Sequence, residues 1–94
     1  MDIIAFHLKN LLNTGVLMGI RNKDGLFIAI PKMYIDTSGN LYYLDSMKRR
    51  TRVSSLVFML HGSTFLHNWL DSVYYIDKNS HIVSFKNYMI NQKK

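Results

Sequence analysis

Four short polar segments interrupt the apolar runs of this sequence, and each has the composition of a tight turn. They occupy residues 21–25, 36–40, 45–47 and 77–80. The first contains Asp24-Gly25, a strong hairpin signal because glycine adopts positive φ without steric cost. Turns this closely spaced leave room only for short strands that reverse direction, so the sequence predicts antiparallel pairing.

The apolar runs between these turns predict the strands and so the fold class. The predicted strands are residues 16–20, 26–30, 33–35, 41–44, 48–53, 72–76 and 81–85. We expect one antiparallel sheet of about four to six strands. Pro31 lacks an amide hydrogen and therefore ends the second strand or places it at an edge. The sequence predicts an α+β fold: a small antiparallel sheet packed by an N-terminal helix and a short central helix.

The N-terminal helix is predicted over residues 2–14. Asp2 can accept hydrogen bonds from the first-turn amides, and Gly15 stands where a helix commonly ends. Its apolar stripe, at helical spacing, comprises Ile4, Leu8, Leu11 and Leu12.

The central helix is predicted over residues 55–61, with Ser54 or Ser55 as its cap and Gly62 as its end. Its apolar stripe, which we assign to the core, comprises Leu56, Val57, Met59 and Leu60. We expect residues 86–94 to form a further short helix.

Length and composition indicate one small domain. Ninety-four residues leave no room for a second core. The chain has no cysteine, which excludes disulfides and thiolate chemistry. No apolar run approaches the ~20 residues of a membrane helix, and the first residues lack the basic flank of a signal peptide. We therefore expect a cytoplasmic protein without membrane contact.

Charge gives the main indication of a partner. The net charge is +6, and the only acidic residues are six aspartates. Four cations lie within five residues: Lys48, Arg49, Arg50 and Arg52. On a strand, Lys48, Arg50 and Arg52 would share one face. Such a cluster favours a nucleic acid, because binding releases counterions from the phosphates. The alternatives are a solvated surface that keeps the protein soluble, and a surface that docks an acidic protein partner.

Aromatic and isolated basic residues extend the predicted interface beyond the cluster. Tyr43, Tyr75, Lys78 and Lys86 are the further candidate contacts to a nucleic acid. The alternative for the tyrosines is packing in the core, which is the more common role of such residues. A tyrosine-rich sheet with arginines nearby suits unpaired or structured RNA better than duplex DNA, so RNA is favoured.

The sequence predicts no catalytic, metal or cofactor site. None of His7, His61, His67 and His81 has the close spacing of a zinc ligand pair. No glycine-rich phosphate loop or nucleophile elbow is present. We therefore expect that this protein is not an enzyme. The alternative is a metal-dependent nuclease built from His61, His67 or His81 with Asp71 or Asp77.

A longer pattern combines a strand, a Gly-Asn turn, a second strand, a basic strand and a helix ending in glycine. It continues with Val73-Tyr74-Tyr75-Ile76-Asp77-Lys78-Asn79 and Asn87-Tyr88. This pattern, residues 33–88, resembles the small phage-type HNH homing endonucleases. The resemblance implies a ββα-metal unit in which Asp77, Asn79 and Asn87 shape the turn and the closing helix.

Tyr75 stands where that family has its general-base histidine. The family's chemistry needs a neutral imidazole and a metal ion, and a phenol with a pKa of about 10 is a poor base at neutral pH. The resemblance therefore implies a degenerate copy that keeps nucleic-acid binding and has lost catalysis.

Composition and the resemblance together predict a phage origin. Asn, Ile, Lys and Tyr are abundant beside only two alanines, as in many AT-rich phage genomes. By analogy with other small phage proteins, we expect an inhibitor of a host defence system, such as a toxin ribonuclease whose RNA or surface it binds.

Overall fold

The structure, a computed structural model, describes residues 3–62 and 68–92. Helices and antiparallel strands are mixed along these residues, which confirms the α+β class. In chain order the elements are α1 (Ile3–Asn13), β1 (Leu17–Arg21), β2 (Phe27–Ala29), β3 (Met33–Ile35), β4 (Leu41–Leu44), β5 (Arg50–Arg52), α2 (Val53–His61), a short 3₁₀ helix (Trp69–Ser72), β6 (Val73–Ile76), β7 (Ile82–Ser84) and α3 (Phe85–Gln92). No helix in the described part of the chain has both the length and the apolar character needed to cross a membrane.

The strands form two sheets rather than the single predicted sheet. The four-stranded sheet has the order β2-β1-β6-β7, and the three-stranded sheet has the order β3-β4-β5. All neighbouring strands are antiparallel. The division depends on the pairing of β1 with β6, which places Met18 opposite Tyr75. These strands lie far apart in the sequence, and no turn signal links them.

A hydrophobic core joins both sheets to the helices. Its buried members are Leu8, Leu11, Met18, Ile20, Ile30, Met33, Leu41, Val53, Val57, Leu70, Val73 and Phe85. The stripe predicted for α1 is confirmed, since Leu8 and Leu11 are buried and Ile4 and Leu12 pack against the core. Gly15, with φ of +80°, follows the helix as predicted. The predicted cap Asp2 lies outside the described residues.

Helix α2 begins earlier than predicted, and three of the four residues of its predicted stripe contact the core. It starts at Val53, directly after β5, so neither predicted serine is its cap. Val53 and Val57 are fully buried, while Leu56 and Leu60 pack partly against the core. The assignment of Met59 to the core is wrong, because its side chain is 71% exposed. Met59 follows Val57 by two residues and so lies on the opposite side of the helix.

Four hairpin turns in the described residues share one construction. Their first residues are Asn22, Asp36, Asp45 and Asp77. In each, the Oδ1 of this first residue accepts hydrogen bonds of 2.8–3.0 Å from the amides two and four residues later. The fourth residue of each turn has a left-handed φ: Gly25 (+80°), Gly39 (+87°), Lys48 (+61°) and Ser80 (+63°). Two turns thus place a residue with a side chain where glycine is favoured.

This turn construction changes the predicted basic strand. Lys48 occupies the left-handed turn position, and β5 begins only at Arg50. The prediction that Lys48 shares a strand face with Arg50 and Arg52 is therefore wrong. No glycine marks this position in the sequence, so the predicted turn is too short.

We expect Ser80→Gly to stabilise the fold by about 0.5–1 kcal/mol. Glycine removes the steric cost of left-handed φ, an effect partly offset by its greater freedom in the unfolded chain. Thermal unfolding followed by circular dichroism should show a rise of a few degrees in Tm. The reciprocal control, Gly25→Ser at the equivalent position, should lower Tm. A lower Tm in Ser80→Gly would contradict the expectation.

Candidate nucleic-acid interface

The three-stranded sheet presents arginines and tyrosines together on its outward side. Strand pairing places Tyr34 opposite Tyr42, and Tyr42 opposite Arg52. Arg50 lies two residues before Arg52 and so projects from the same side. The opposite side of the sheet contributes Met33 and Leu41 to the core. We call Tyr34, Tyr42, Arg50 and Arg52 the arginine–tyrosine face.

Arg50 lies over the tyrosine rings of this face. Its guanidinium carbon is 3.9 Å from the ring centroid of Tyr42 and 5.9 Å from that of Tyr34. The two ring centroids are 5.8 Å apart, and the ring planes differ by 23°. A guanidinium at these distances is attracted by the electron-rich ring faces. The face therefore combines positive charge with flat aromatic surface.

Asp36 holds the far end of the Arg50 side chain. An Arg50 Nη2 donates to Asp36 Oδ2 at 3.3 Å, across the sheet from β5 to the end of β3. Hydrogen bonds from Asn40 and Ser38, with a smaller contribution from the Arg50 charge, hold the pKa of Asp36 below its usual value. Asp36 is therefore ionised at neutral pH. The Arg50 side chain is 53% exposed, so this ion pair is of the weak, solvent-screened kind.

The hairpin tip beside the face adds two more cations. Lys48 and Arg49 are exposed in the turn that Asp45 begins. Arg49 Nε is 3.5 Å from Asp45 Oδ2, and its side chain is 71% exposed. The four predicted cations thus occupy one hairpin: two project from its outward face and two lie at its tip.

Tyr43 does not belong to this face. It lies between the outward residues Tyr42 and Leu44 on β4, and its side chain packs against the core. Successive strand residues point to opposite sides, so Tyr43 faces away from Tyr42, and its contact with a base stays a prediction. The rings on the outward side are those of Tyr34 and Tyr42, both half-buried, which the sequence prediction missed. Alternation along β4 from the apolar residue Leu41, which faces the core, is the signal in the sequence that could have identified Tyr42.

The other predicted contact residues lie on the four-stranded sheet and on helix α3. Tyr75 is on β6, packs partly against the core, and meets the Tyr88 ring edge-on at 6.0 Å. Lys78 lies in the β6–β7 turn, and Lys86 lies in the first turn of α3; both are exposed. The structure does not bring these three residues together with the arginine–tyrosine face.

Tyr75 also lacks the properties of a general base. Burial, and secondarily the charge of Asp77, raises the pKa of the Tyr75 phenol above its usual value. The hydroxyl therefore stays protonated at neutral pH. Asp77 itself begins a turn, accepting hydrogen bonds from the amides of Asn79 and His81.

His61 and His81 each contact an oxygen atom of a neighbouring residue. A carbonyl can only accept, so His61 Nε2 donates to the Arg21 carbonyl at 3.0 Å. His81 Nδ1 is 3.7 Å from Asp77 Oδ2 across an exposed turn. Among residues 3–62 and 68–92, no cluster of three histidine, cysteine or acidic side chains could hold a metal ion. His67 lies outside the described residues.

Strands β6 and β7 and helix α3 follow one another in the ββα order that the HNH resemblance implies. In this unit Ser84 Oγ accepts a hydrogen bond from the amide of Asn87 at the start of α3. Comparisons with models of protein families, with curated proteins and with solved structures found no match to this chain.

Proposed function

We propose that this protein is a non-enzymatic nucleic-acid-binding protein whose ligand is RNA. The observation that carries the proposal is the arginine–tyrosine face, with the Arg50 guanidinium 3.9 Å above Tyr42 and Arg52 beside it. Lys48 and Arg49 at the neighbouring hairpin tip add positive charge for phosphates. In this proposal the phosphates bind the cations, and the bases contact the rings of Tyr34 and Tyr42.

RNA is proposed over DNA because of the kind of surface involved. Sequence reading of duplex DNA uses a helix or ribbon that enters the major groove. Unpaired RNA instead exposes its bases, which stack on aromatic side chains of a sheet and contribute about 1–3 kcal/mol per base. Two neighbouring tyrosines on a solvent-facing sheet favour this second mode.

The biological role we propose is inhibition of a host defence system by a phage-encoded protein in the host cytoplasm. A toxin ribonuclease is the target class, either through sequestration of its RNA or through direct binding. Support for this role comes from the composition and from the resemblance to a degenerate HNH protein.

The proposal is tested by titrating the protein into a fluorescently labelled RNA oligonucleotide at salt concentrations from about 50 to 200 mM. Log affinity should fall linearly with log salt, with a slope of roughly −3 if all four cations contact phosphates of a single strand. Heparin at equal charge serves as the control for unspecific attraction. Absence of binding at the lowest salt concentration, or equal affinity for heparin, would contradict the proposal.

We expect no hydrolysis of RNA or DNA by the purified protein. Cleavage of labelled RNA and DNA in the presence of magnesium, manganese or zinc should not exceed cleavage in buffer without the protein. The reason is that Tyr75 is protonated at neutral pH and cannot act as the base. Turnover that disappears in His67→Ala or His81→Ala would instead favour the metal-dependent nuclease.

A second candidate function is the binding of an acidic protein partner through the same hairpin. It is favoured by two exposed apolar side chains beside the arginines, Leu44 at 42% and Met47 at 70%. Arginine and methionine are enriched at protein interfaces. Loss of inhibitory activity in Leu44→Ser with unchanged RNA affinity would favour this candidate.

A further inference from the structure

Arg50 covers the surface that a base would use. The Arg50 guanidinium carbon is 3.9 Å from the ring centroid of Tyr42 and 5.9 Å from that of Tyr34, so Tyr42 is the ring that it covers. The two rings are stacked, with planes 23° apart, and the guanidinium lies over the Tyr42 ring. A base that stacks on this side of Tyr42 would occupy the same space as the guanidinium.

The contacts that keep Arg50 in this position are replaceable. Its ion pair with Asp36 is 3.3 Å long and half exposed, and such pairs contribute little. A phosphate offers the guanidinium two parallel hydrogen bonds, a stronger arrangement. One nucleotide carries both a planar base and a phosphate, so it can replace Arg50 on the ring and Asp36 on the guanidinium together.

We propose that the arginine–tyrosine face takes single-stranded segments by this exchange, with Asp36 as the residue that opposes it. The inference rests on the nucleic-acid-binding function proposed above. In this exchange a base stacks on the Tyr42 ring, and the Arg50 guanidinium moves from Asp36 to the adjacent phosphate. The Asp36 carboxylate is then hydrated. A duplex cannot take part, because its bases are stacked on one another and paired.

The chain offers a conservative variant that breaks the Arg50–Asp36 ion pair and keeps the turn. Asp36→Asn retains the Oδ1 that accepts hydrogen bonds from the Ser38 and Asn40 amides but removes the charge. Asn22 performs this same role in another hairpin of the chain, so asparagine is adequate there. Asp77→Asn is the matched control, with the same charge change in the same type of turn on the other sheet.

The experiment compares wild type, Asp36→Asn and Asp77→Asn for binding to a labelled single-stranded RNA and to the duplex of the same sequence. It is done by fluorescence anisotropy at about 150 mM salt, where exposed charges are screened beyond about 8 Å. Asp36→Asn should bind the single strand roughly two- to fivefold more tightly than wild type. Asp77→Asn should bind it as wild type does, and neither variant should gain affinity for the duplex.

Each other outcome overturns the inference. Equal behaviour of the two variants, with wild-type binding intact, means that Asp36 does not oppose binding and leaves the proposed function standing. If Asp36→Asn gains the same affinity for the single strand and the duplex, Asp36 opposes binding only through its negative charge and not through the exchange at Tyr42. If the wild type binds neither the single strand nor the duplex, both proposals are overturned.

Tyr42→Leu gives an independent test that does not depend on the turn. Loss of the ring should reduce single-strand affinity by roughly tenfold and leave duplex affinity unchanged. Unchanged single-strand affinity in a variant with wild-type Tm would contradict base stacking on Tyr42.

Discussion

Replacing Arg50 and Arg52 together with alanine should reduce the affinity for single-stranded RNA by at least roughly tenfold at about 50 mM salt. The variant can no longer neutralise two of the phosphates, so the counterions of these phosphates are not released. The slope of log affinity against log salt should flatten by roughly 0.7–1 for each phosphate that the variant fails to bind. Anisotropy titrations across a salt series measure both quantities.

Lys78→Ala/Lys86→Ala is the matched control for the arginine pair. It removes the same charge from exposed positions on the four-stranded sheet and its helix. Its affinity and slope should stay close to those of the wild type. If both double variants lose affinity equally, the protein attracts RNA by overall charge, and the arginine–tyrosine face is not the contact.

Phe85→Ala should lower the free energy of unfolding by about 3–5 kcal/mol, the usual cost of truncating a buried phenylalanine. Phe85 begins α3, is 0% exposed, and lies 6.3 Å from the Tyr88 ring in a nearly parallel arrangement. Small domains have only about 5–15 kcal/mol of stability in total. Urea denaturation should therefore show a large fall in the midpoint.

Ile90→Ala on the same helix is the control for Phe85→Ala. Ile90 is 51% exposed, so its truncation should change stability by no more than about 0.5 kcal/mol. Comparable losses of stability in the two variants would contradict burial of Phe85 as the main anchor of α3, because alanine favours a helix more than either replaced residue does.

The turns and the helix positions can be predicted because their signals are local. Asp24-Gly25 and the three other polar segments each mark a hairpin that the structure contains. The α1 stripe that ends before Gly15 is likewise confirmed. In these segments a few neighbouring side chains and amides determine the backbone, so a short window of sequence is sufficient.

The faces of the strands and the division into two sheets cannot be predicted with the same reliability. A shift of one residue moves a strand side chain from one face to the other, which is why the sequence prediction names Tyr43 and not Tyr42. The left-handed φ of Lys48 has no signal in the sequence, because glycine is absent there. The pairing of β1 with β6 joins distant segments and depends on the whole core.

At the direct junction of β5 with α2, a residue of the arginine–tyrosine face occupies a position where another residue would stabilise the helix better. Arg52 is the residue before the first turn of α2, and its side chain makes no capping hydrogen bond. Serine there would satisfy an amide, and a cation faces the positive end of the helix dipole. At the other end of the same segment, Lys48 holds a backbone conformation suited to glycine. Serine at position 52 and glycine at position 48 are therefore the two changes in this hairpin that should stabilise the fold.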